Sequence, residues 1–293
     1  MKQNFLLFFL IFFSINTFSQ EEAKKDSLWT TRGNVAILLN QTGFSDWVGG
    51  GTNNFSGTLK FDYEWEFRDK GWDWLTNFES AYGLAKYKNA PFARKIDDRI
   101  LIQSIVGKEF TKNLSFSAFF NFTSQLGNGY KYKKDSNNNE IRELTTRIFS
   151  PAYFQLGSGF LWKKDETLWV NYSPIATRLI LVSKKFTQDL TGNDTYFGVL
   201  PNKSSRYELG ANLTFHSEGK LLENIKYKQD LKLFSNYLED ASNIDLDYLM
   251  QIEVDINPLL STQLIFQLIY DDNAISRLQV REVFGVGVQL KLD

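Results

Sequence analysis

The chain has 293 residues, with 33 lysines and arginines, 34 aspartates and glutamates, and no cysteine. This balance of charge gives no electrostatic case for binding nucleic acid, and the lack of cysteine excludes disulfides, thiolate metal sites and cysteine nucleophiles. Aromatic residues make up 16% of the chain, and no segment beyond the N-terminus approaches the roughly 18 consecutive apolar residues of a membrane-spanning helix.

The first 20 residues have the organisation of a secretory signal peptide. Lys2 precedes an apolar run from Phe5 to Phe13, and small and polar residues follow as far as Gln20. The apolar run is too short to cross a bilayer as a helix. We therefore predict that residues 1–20 direct export, that residues 21–28 form a short periplasmic segment, and that residues 29–293 form one domain.

The most regular pattern in the chain lies between Ile244 and Asn257, where apolar and polar residues alternate. The apolar positions are Ile244, Leu246, Tyr248, Met250, Ile252, Val254 and Ile256. Leu249 is the one apolar residue on the otherwise polar face. A period of two predicts a β-strand, because successive side chains leave an extended backbone on opposite faces. Such a strand suits either a soluble sandwich or a transmembrane barrel whose apolar face contacts lipid.

The same alternation recurs along the chain and predicts twelve strands. In chain order they are Thr30–Leu39, Asn54–Phe67, Trp72–Leu84, Asp98–Phe110, Leu114–Leu126, Ala152–Trp162, Leu168–Val182, Arg206–His216, Ile225–Tyr237, Ile244–Asn257, Thr262–Tyr270 and Gln279–Asp293. Pro174 lies inside the seventh strand and predicts a bulge or a register break there. Ten and fourteen strands remain as alternatives.

The connections between these strands alternate in length. Short connections are predicted at 68–71, 111–113, 163–166, 219–224 and 257–261, and most of the others are long, at 40–53, 85–97, 127–151 and 183–205. Outer-membrane barrels have short periplasmic turns and longer outer loops, and an even number of strands closes the sheet without a free edge. We therefore predict an all-β fold, a closed antiparallel transmembrane β-barrel in the outer membrane.

Tryptophan positions support a membrane interface at one end of this barrel. The residues predicted to form an interfacial girdle are Trp29, Trp65, Trp72, Trp74 and Trp162. All five lie next to strand ends assigned to the periplasmic side, where aromatic side chains sit at the level of lipid headgroups. Trp169 lies near the same end but falls on the polar face, and Trp47 lies in an outer loop.

Several segments resemble a known family. They are Asn40–Asn54, which contains Phe-Ser-Asp-Trp-Val-Gly-Gly-Gly, then Leu233–Tyr237 with Ile244–Tyr248 after it, and Val254–Pro258. These segments are similar to an uncharacterised outer-membrane barrel family of the Bacteroidota, domain of unknown function 3078, and the Phe18–Gln20 end of the signal resembles export signals of that group. The resemblance implies an outer-membrane β-barrel and supplies no activity, substrate or catalytic residue.

The polar strand faces would line the barrel with charges of both signs. The side chains predicted to line the lumen are Lys60, Asp62, Glu64, Glu208, Lys228, Asp230, Asp247 and Glu253. The lysine-rich strand at 225–237 precedes the acidic strand at 244–257, which predicts ion pairs between these two neighbours. The pattern favours a narrow pore for small polar solutes.

A closed barrel is the alternative function. A barrel of twelve strands is far narrower than a general porin, so its own ion pairs could fill it. It would then act as a structural or interaction module through its outer loops around Phe44, Trp47 and Tyr130.

Catalytic and metal-binding patterns are weak. An outer-membrane lipid hydrolase would need His216, the only histidine, beside a serine and an orienting group, but Ser217 points to the opposite face. Gly49–Gly51 is followed by no Lys-Ser/Thr pair and is interpreted as a loop. Asp271–Asn273 and Glu239–Asp240 could offer oxygens to Ca²⁺, although short acidic loops are usually only solvated. We predict no catalytic residue, metal ligand or cofactor, with a lipid or glycan hydrolase as the least favoured function.

Overall fold

The computed structural model describes residues 28–43 and 52–292, except the side chain of Ser276. These residues form one closed antiparallel barrel and one separate two-stranded hairpin. The predicted signal peptide, residues 21–27 and the Gly49–Gly51 segment lie outside the described residues. Export through a signal peptide therefore stays a prediction.

The barrel contains twelve strands, and the hairpin contains two. The barrel strands are β1 (Trp29–Thr42), β2 (Asn54–Asp69), β3 (Trp72–Tyr87), β4 (Arg94–Thr111), β5 (Leu114–Ser124), β8 (Ala152–Asp165), β9 (Leu168–Leu181), β10 (Ser205–Leu222), β11 (Ile225–Asn236), β12 (Ile244–Asp255), β13 (Leu260–Asp271) and β14 (Ile275–Leu292). The hairpin strands are β6 (Gly129–Lys134) and β7 (Glu140–Thr146).

The sheet closes between its first and last strands. Around the barrel the order is β1-β14-β13-β12-β11-β10-β9-β8-β5-β4-β3-β2, and β2 returns to β1. The register of the closing pair runs from Gly33 opposite Leu292 to Leu39 opposite Val286. Closure pairs strands that would otherwise present free backbone groups at an open edge. The predicted closed barrel of twelve antiparallel strands is confirmed.

Connections of different length lie at opposite ends of the barrel. The turns after β2, β4, β8, β10 and β12 span only two to four residues, and this end is called the turn end. Both the start of β1 and the finish of β14 lie there. The remaining connections lie at the other end, called the loop end. The connection between β9 and β10 is the longest continuous one there, at 182–204, whereas the connection predicted as long at 85–97 spans only 88–93 and that between β13 and β14 spans only 272–274.

Some predicted boundaries were wrong. The hairpin of β6 and β7 lies inside the connection predicted as loop at 127–151. Its strands have only six and seven residues, and such short segments give a weak pattern. The turn predicted at 219–224 is mostly strand, since β10 continues to Leu222. No helix among the described residues is long and apolar enough to cross a membrane.

Pro174 interrupts the register of β9 on both sides. Pairing shifts between Ser158 and Phe160 on β8, and between Gly210 and Asn212 on β10. Proline has no N–H to donate to the ladder, and an extra residue in one strand accommodates it. The register break predicted at Pro174 is confirmed.

Glycine at position 159 permits the close approach of two strands at this break. A Cβ atom at Gly159 would lie 2.0 Å from the carbonyl oxygen of Tyr172 and 2.6 Å from the Cα of Ser173. We expect Gly159→Val to lower the free energy of unfolding by about 1–3 kcal/mol, because backbone atoms cannot move aside as a flexible side chain can. Urea unfolding of the protein in lipid vesicles, followed by tryptophan fluorescence, measures this loss.

Gly57→Val is the matched control, because the atom nearest to a Cβ there is Leu39 Cδ2 at 3.4 Å. That contact is ordinary, and valine favours extended backbone. Equal unfolding midpoints for the two valine variants would contradict the steric argument at Gly159.

The loop between β9 and β10 folds over the loop end of the barrel. The hydroxyl of Tyr196 donates to the backbone oxygens of Thr145 at 2.6 Å and of Ser150 at 3.3 Å. The backbones of Tyr196 and Val199 form two hydrogen bonds with each other across a two-residue turn. In this turn Phe197 and Gly198 have φ of 50° and 72°. Positive φ is rare for a residue as large as phenylalanine, so the surrounding contacts hold Phe197 in this position.

Candidate functional site

The outer face of the barrel is a continuous apolar surface. Large apolar side chains that are at least half exposed occur on strands all around it, including Ile37, Leu59, Leu156, Ile175, Tyr207 and Phe284. Monomeric soluble proteins rarely expose so much contiguous apolar area. This surface is suited to lipid.

The five tryptophans of the predicted girdle all lie on the outer face near the turn end. Their side chains are between 37% and 49% exposed. Trp29 packs against Trp74 with ring centroids 5.8 Å apart, and the indole N–H of Trp74 donates to Ser104 Oγ at 2.8 Å. Such a band of half-exposed indoles matches the way tryptophan occupies a membrane interface.

An ion pair crosses the lumen. Lys228 Nζ on β11 lies 3.0 Å from Glu79 Oε1 on β3, and these strands are six positions apart in either direction around the barrel. A circular barrel of twelve strands would measure about 24 Å between opposite backbones. A lysine and a glutamate cannot span that distance, so the barrel is flattened along this axis.

One further cation joins this contact, and another makes a separate contact across the lumen. Arg99 on β4 donates to Glu79 Oε2 at 2.7 Å, so that both carboxylate oxygens have a cationic partner. Lys60 on β2 donates to Gln263 on β13 at 3.0 Å and to Gln251 on β12 at 3.2 Å. The side chains of Lys60, Glu79, Arg99 and Lys228 are called the crossing layer. Together they join both sides of the lumen.

The other predicted lining residues also lie on the inner face. Asp62 is the register partner of Glu79, and Asp247 accepts from Gln267 at 2.8 Å. Nearer the turn end, Glu64 pairs with Arg32 at 2.5 Å, and Glu253 pairs with Lys226 at 3.3 Å.

A second ion-pair network lies towards the loop end. Arg178 donates to both Glu208 and Asp245, and Arg206 donates to Glu208 at 2.7 Å. Glu208 is fully buried. Its charge is therefore stabilised by two arginines rather than by water.

The ion pairs predicted between the two neighbouring strands β11 and β12 form only in part. Lys226 pairs with Glu253, its register partner. Lys228 instead crosses the lumen to Glu79, because its register partner on β12 is Gln251. Lys232 faces Asp247 in the register but has no carboxylate oxygen within 4.0 Å among the described residues.

Apolar side chains fill another part of the interior. They are Ile105, Phe119, Leu161, Trp169, Ala176 and Phe234, all buried and packed together. The polar face of the strands is therefore not entirely polar, and Trp169 belongs to this filling. The remaining polar space lies beside the charged walls.

His216 is buried next to this filling. Its ring stacks on Trp169 with centroids 5.0 Å apart, and its Nδ1 lies 2.8 Å from Asp230 Oδ1. Its Nε2 lies 3.7 Å from Glu218, so carboxylates face both ring nitrogens. The hydroxyl of Ser217 bonds instead with Tyr227 at 3.3 Å. This histidine is an internal packing and pairing residue.

A cavity of about 320 Å³ lies on the loop side of the crossing layer. Glu79 and Arg99 border it at one end, and Phe197 from the β9–β10 loop borders it at the other. Its lining combines apolar side chains with amides and charged groups. The described part of the chain thus holds an internal space that small solutes can occupy.

Three carboxylates meet beside this cavity. One oxygen from each of Asp245, Asp271 and Asp272 lies within 4.8 Å of the others. Oxygen ligands suit Ca²⁺, but Arg178 already neutralises Asp245, and backbone N–H groups of Asn273 and Ala274 donate to Asp271. Of the acidic groups predicted as possible ligands, Glu239 pairs with Arg206 instead.

Sequence reasoning missed several interior residues. Arg99 and Arg178 lie on strands where the alternation was recognised, yet neither was chosen as a lining residue. The signal that could have identified both arginines was a basic residue on the polar face of a predicted barrel strand. Which acid each arginine contacts depends on the curvature of the closed sheet.

Comparison with solved structures finds 63 similar chains. One is the translocator domain of the autotransporter NalP from Neisseria meningitidis, with a TM-score of 0.41, 10% identity, and coverage of 88% of this chain and 87% of that one. A second is the beta domain of the Bordetella autotransporter BrkA, with a TM-score of 0.36, 7% identity, and coverage of 90% and 99%. A third is an outer membrane channel from Pseudomonas putida F1, with a TM-score of 0.36, 10% identity, and coverage of 92% and 99%.

Sequence comparison gives one family match. No curated protein sequence matches the chain. Residues 39–130 match the family described as "Protein of unknown function (DUF3078)". The match extends from the end of β1 through β5, about a third of the chain. The resemblance to this family is confirmed for that range, and the attribution to Bacteroidota stays a prediction.

Proposed function

We propose that this protein is an outer-membrane β-barrel that forms a narrow passage for small polar solutes, closed at its centre by ion pairs. The observation that carries the proposal is the contact of Lys228 on β11 with Glu79 on the opposite strand β3, at 3.0 Å. An ion pair between opposite walls blocks the middle of the lumen. The ion pair is also reversible, because each group can replace its partner with water or with a charged solute.

The outer surface supports the membrane location. The apolar belt would be costly in water, and the half-exposed tryptophans near the turn end fit a lipid interface. The predicted signal peptide would bring the chain to the periplasm, from which outer-membrane barrels insert. Short turns would then face the periplasm and the loop end the outside.

The interior supports a polar solute. Charges of both signs line it, and the cavity of about 320 Å³ borders the crossing layer directly. A solute in that cavity contacts the same groups that close the lumen, including Glu79 and Arg99. Solute binding and opening can therefore be coupled through shared contacts.

Planar-bilayer recording tests the proposal. The purified, refolded protein is compared with a variant that lacks the bridge between Lys228 and Glu79. We expect few or no conductance steps from the unmodified protein and discrete steps from the variant. A folded variant that remains silent would overturn the passage.

The second candidate function is a closed barrel that acts as an interaction module. It is favoured by the β6–β7 hairpin, which pairs with no barrel strand. Arg142 lies over the rings of Tyr130 at 4.4 Å and Phe92 at 4.7 Å, and Arg94 lies over Tyr132 at 4.3 Å. This aromatic and arginine surface surrounds Tyr130, which was predicted as a contact residue. Phe44 and Trp47 lie outside the described residues.

A further inference from the structure

The cavity on the loop side of the crossing layer is lined by charges of both signs. At the crossing layer, Arg99 and Lys232 line it together with Glu79, Asp230 and Asp247. Glu79 is already paired with Arg99 and Lys228. Lys232 has no such pair among the described residues, so its ammonium can stabilise a negative group on a ligand.

The other end of the cavity is acidic. Asp245 and Asp271 line it, and Asp272 lies beside them. Arg178 also lines the cavity and is shared by Asp245 and Glu208, and Arg206 is shared by Glu208 and Glu239. The carboxylates therefore outnumber the cations among these residues. A positive group on a ligand would be stabilised at this end.

The separation of the two ends fits a small zwitterion. Asp245 and Asp247 both point inward on β12, and Lys232 is the register partner of Asp247. Two residues along a strand correspond to about 7 Å. The ammonium and carboxylate of one free amino acid, each hydrogen-bonded to the wall, span a distance of this order.

Two polar groups in the lining lack partners of their own. The Oδ1 of Asn121 has no hydrogen-bond partner, and the residue is only 4% exposed. The ammonium of Lys232 has no carboxylate oxygen within 4.0 Å in the part of the chain that the structure describes. An unpaired buried acceptor costs free energy until a donor reaches it. These groups are available to a ligand that carries both an ammonium and a carboxylate.

The cavity also has apolar walls. Leu101, Leu249 and Ile269 contribute to them. At roughly 30 Å³ for each water molecule, a volume of about 320 Å³ holds about ten small groups. That is enough room for an amino acid such as leucine.

We propose that this cavity binds a free amino acid with an apolar side chain. The carboxylate lies towards Lys232 and Arg99, the ammonium towards Asp245 and Asp271, and the side chain against Leu249 and its apolar neighbours. This inference rests on the proposed function, because it names the solute class for the passage.

Calorimetric titration of the detergent-solubilised, folded protein tests the binding. The ligands are L-leucine, 3-methylbutylamine, which lacks the carboxylate, and 4-methylpentanoate, which lacks the ammonium. We expect leucine to bind at least about tenfold more tightly than either analogue. No binding of leucine, or equal binding of all three compounds, would overturn the proposal.

The substitution Lys232→Met tests which end of the cavity holds the carboxylate of the bound amino acid. This substitution removes no ion pair among the described residues, so the barrel should fold. We expect at least about a tenfold loss of leucine affinity and no change for 3-methylbutylamine. The control is Lys131→Met on the β6–β7 hairpin, which should leave both affinities unchanged. An unchanged affinity of Lys232→Met for leucine would also refute the assignment.

Two further measurements separate the competing explanations. Titration with CaCl₂ shows whether the three carboxylates form a cation site. The amino acid proposal would be overturned if Ca²⁺ displaced 3-methylbutylamine while leucine did not bind. Bilayer recording of the bridge-deleted variant is independent of leucine. Conductance without leucine binding rejects only the solute class, whereas leucine binding without conductance rejects only the passage.

Discussion

Glu79→Ala/Lys228→Ala is expected to convert a closed barrel into a conducting one. The two side chains meet from opposite strands at 3.0 Å, so their removal takes material from both walls at the same height. Arg99 keeps acidic neighbours in Asp97 and Asp247, and no single buried charge is left alone as it would be after one substitution. Planar-bilayer recordings should change from no resolved steps to discrete steps.

The charge-swapped variant Glu79→Lys/Lys228→Glu is the control for this result. It restores a cation and an anion in contact across the lumen, although Arg99 then faces a lysine instead of a glutamate. We expect its conductance to fall well below that of the double alanine variant. Equal conductance from both variants would show that loss of native packing, rather than loss of the bridge, opens the barrel.

Arg178→Met is expected to have the largest effect on stability. Arg178 is 7% exposed, and its guanidinium bonds Glu208 and Asp245. The substitution would leave two inward-facing carboxylates without their shared cation, which typically costs about 3–5 kcal/mol. Urea unfolding in lipid vesicles, monitored by tryptophan fluorescence, measures the decrease in the free energy of unfolding.

Arg32→Met is the matched control for Arg178→Met. Arg32 also pairs with a glutamate, Glu64, but its side chain is 53% exposed. Water replaces such a partner at little cost, and exposed pairs contribute about 1 kcal/mol or less. If Arg178→Met lowered the free energy of unfolding no more than Arg32→Met does, water would have to reach Glu208 readily. Arg178→Met/Asp245→Asn should recover part of the stability, because it removes one of the two stranded charges.

The two networks give the lumen a layered organisation. The crossing layer joins opposite walls of the lumen, and the Arg178 network with the β9–β10 loop bounds the cavity beside it. A solute from the loop side would meet the cavity before it meets the block. The proposed passage therefore has a binding step that precedes opening.

Much of the fold could be predicted because alternation is a local property. Each strand face is set by the choice of residue at every second position, as in Ile244–Asp255, and this pattern does not depend on distant contacts. The break at Pro174 was equally local, since proline lacks the N–H that the ladder needs. The hairpin of β6 and β7 was missed because its two short strands contain only one buried residue, Gly129, so no buried face imposes a pattern.

Ion-pair partners could not be predicted in the same way. Lys228 and Glu79 are separated by 149 residues, and no local pattern brings them together. Register predicts which side chains are neighbours on adjacent strands, and it pairs Lys226 with Glu253 correctly. It does not predict contacts across the interior.

The sequence by itself predicted twelve barrel strands, with ten and fourteen as alternatives, and it predicted their two faces, the short turns at one end and the outward tryptophans there. Only the tertiary structure decided that the lumen is crossed at its centre, that Trp169 and its apolar neighbours fill one side, and that Lys232 and Asp245 face a common cavity. The physical reason is distance. Alternation acts between adjacent residues, whereas the contents of the lumen depend on how far a closed, flattened sheet brings opposite walls together.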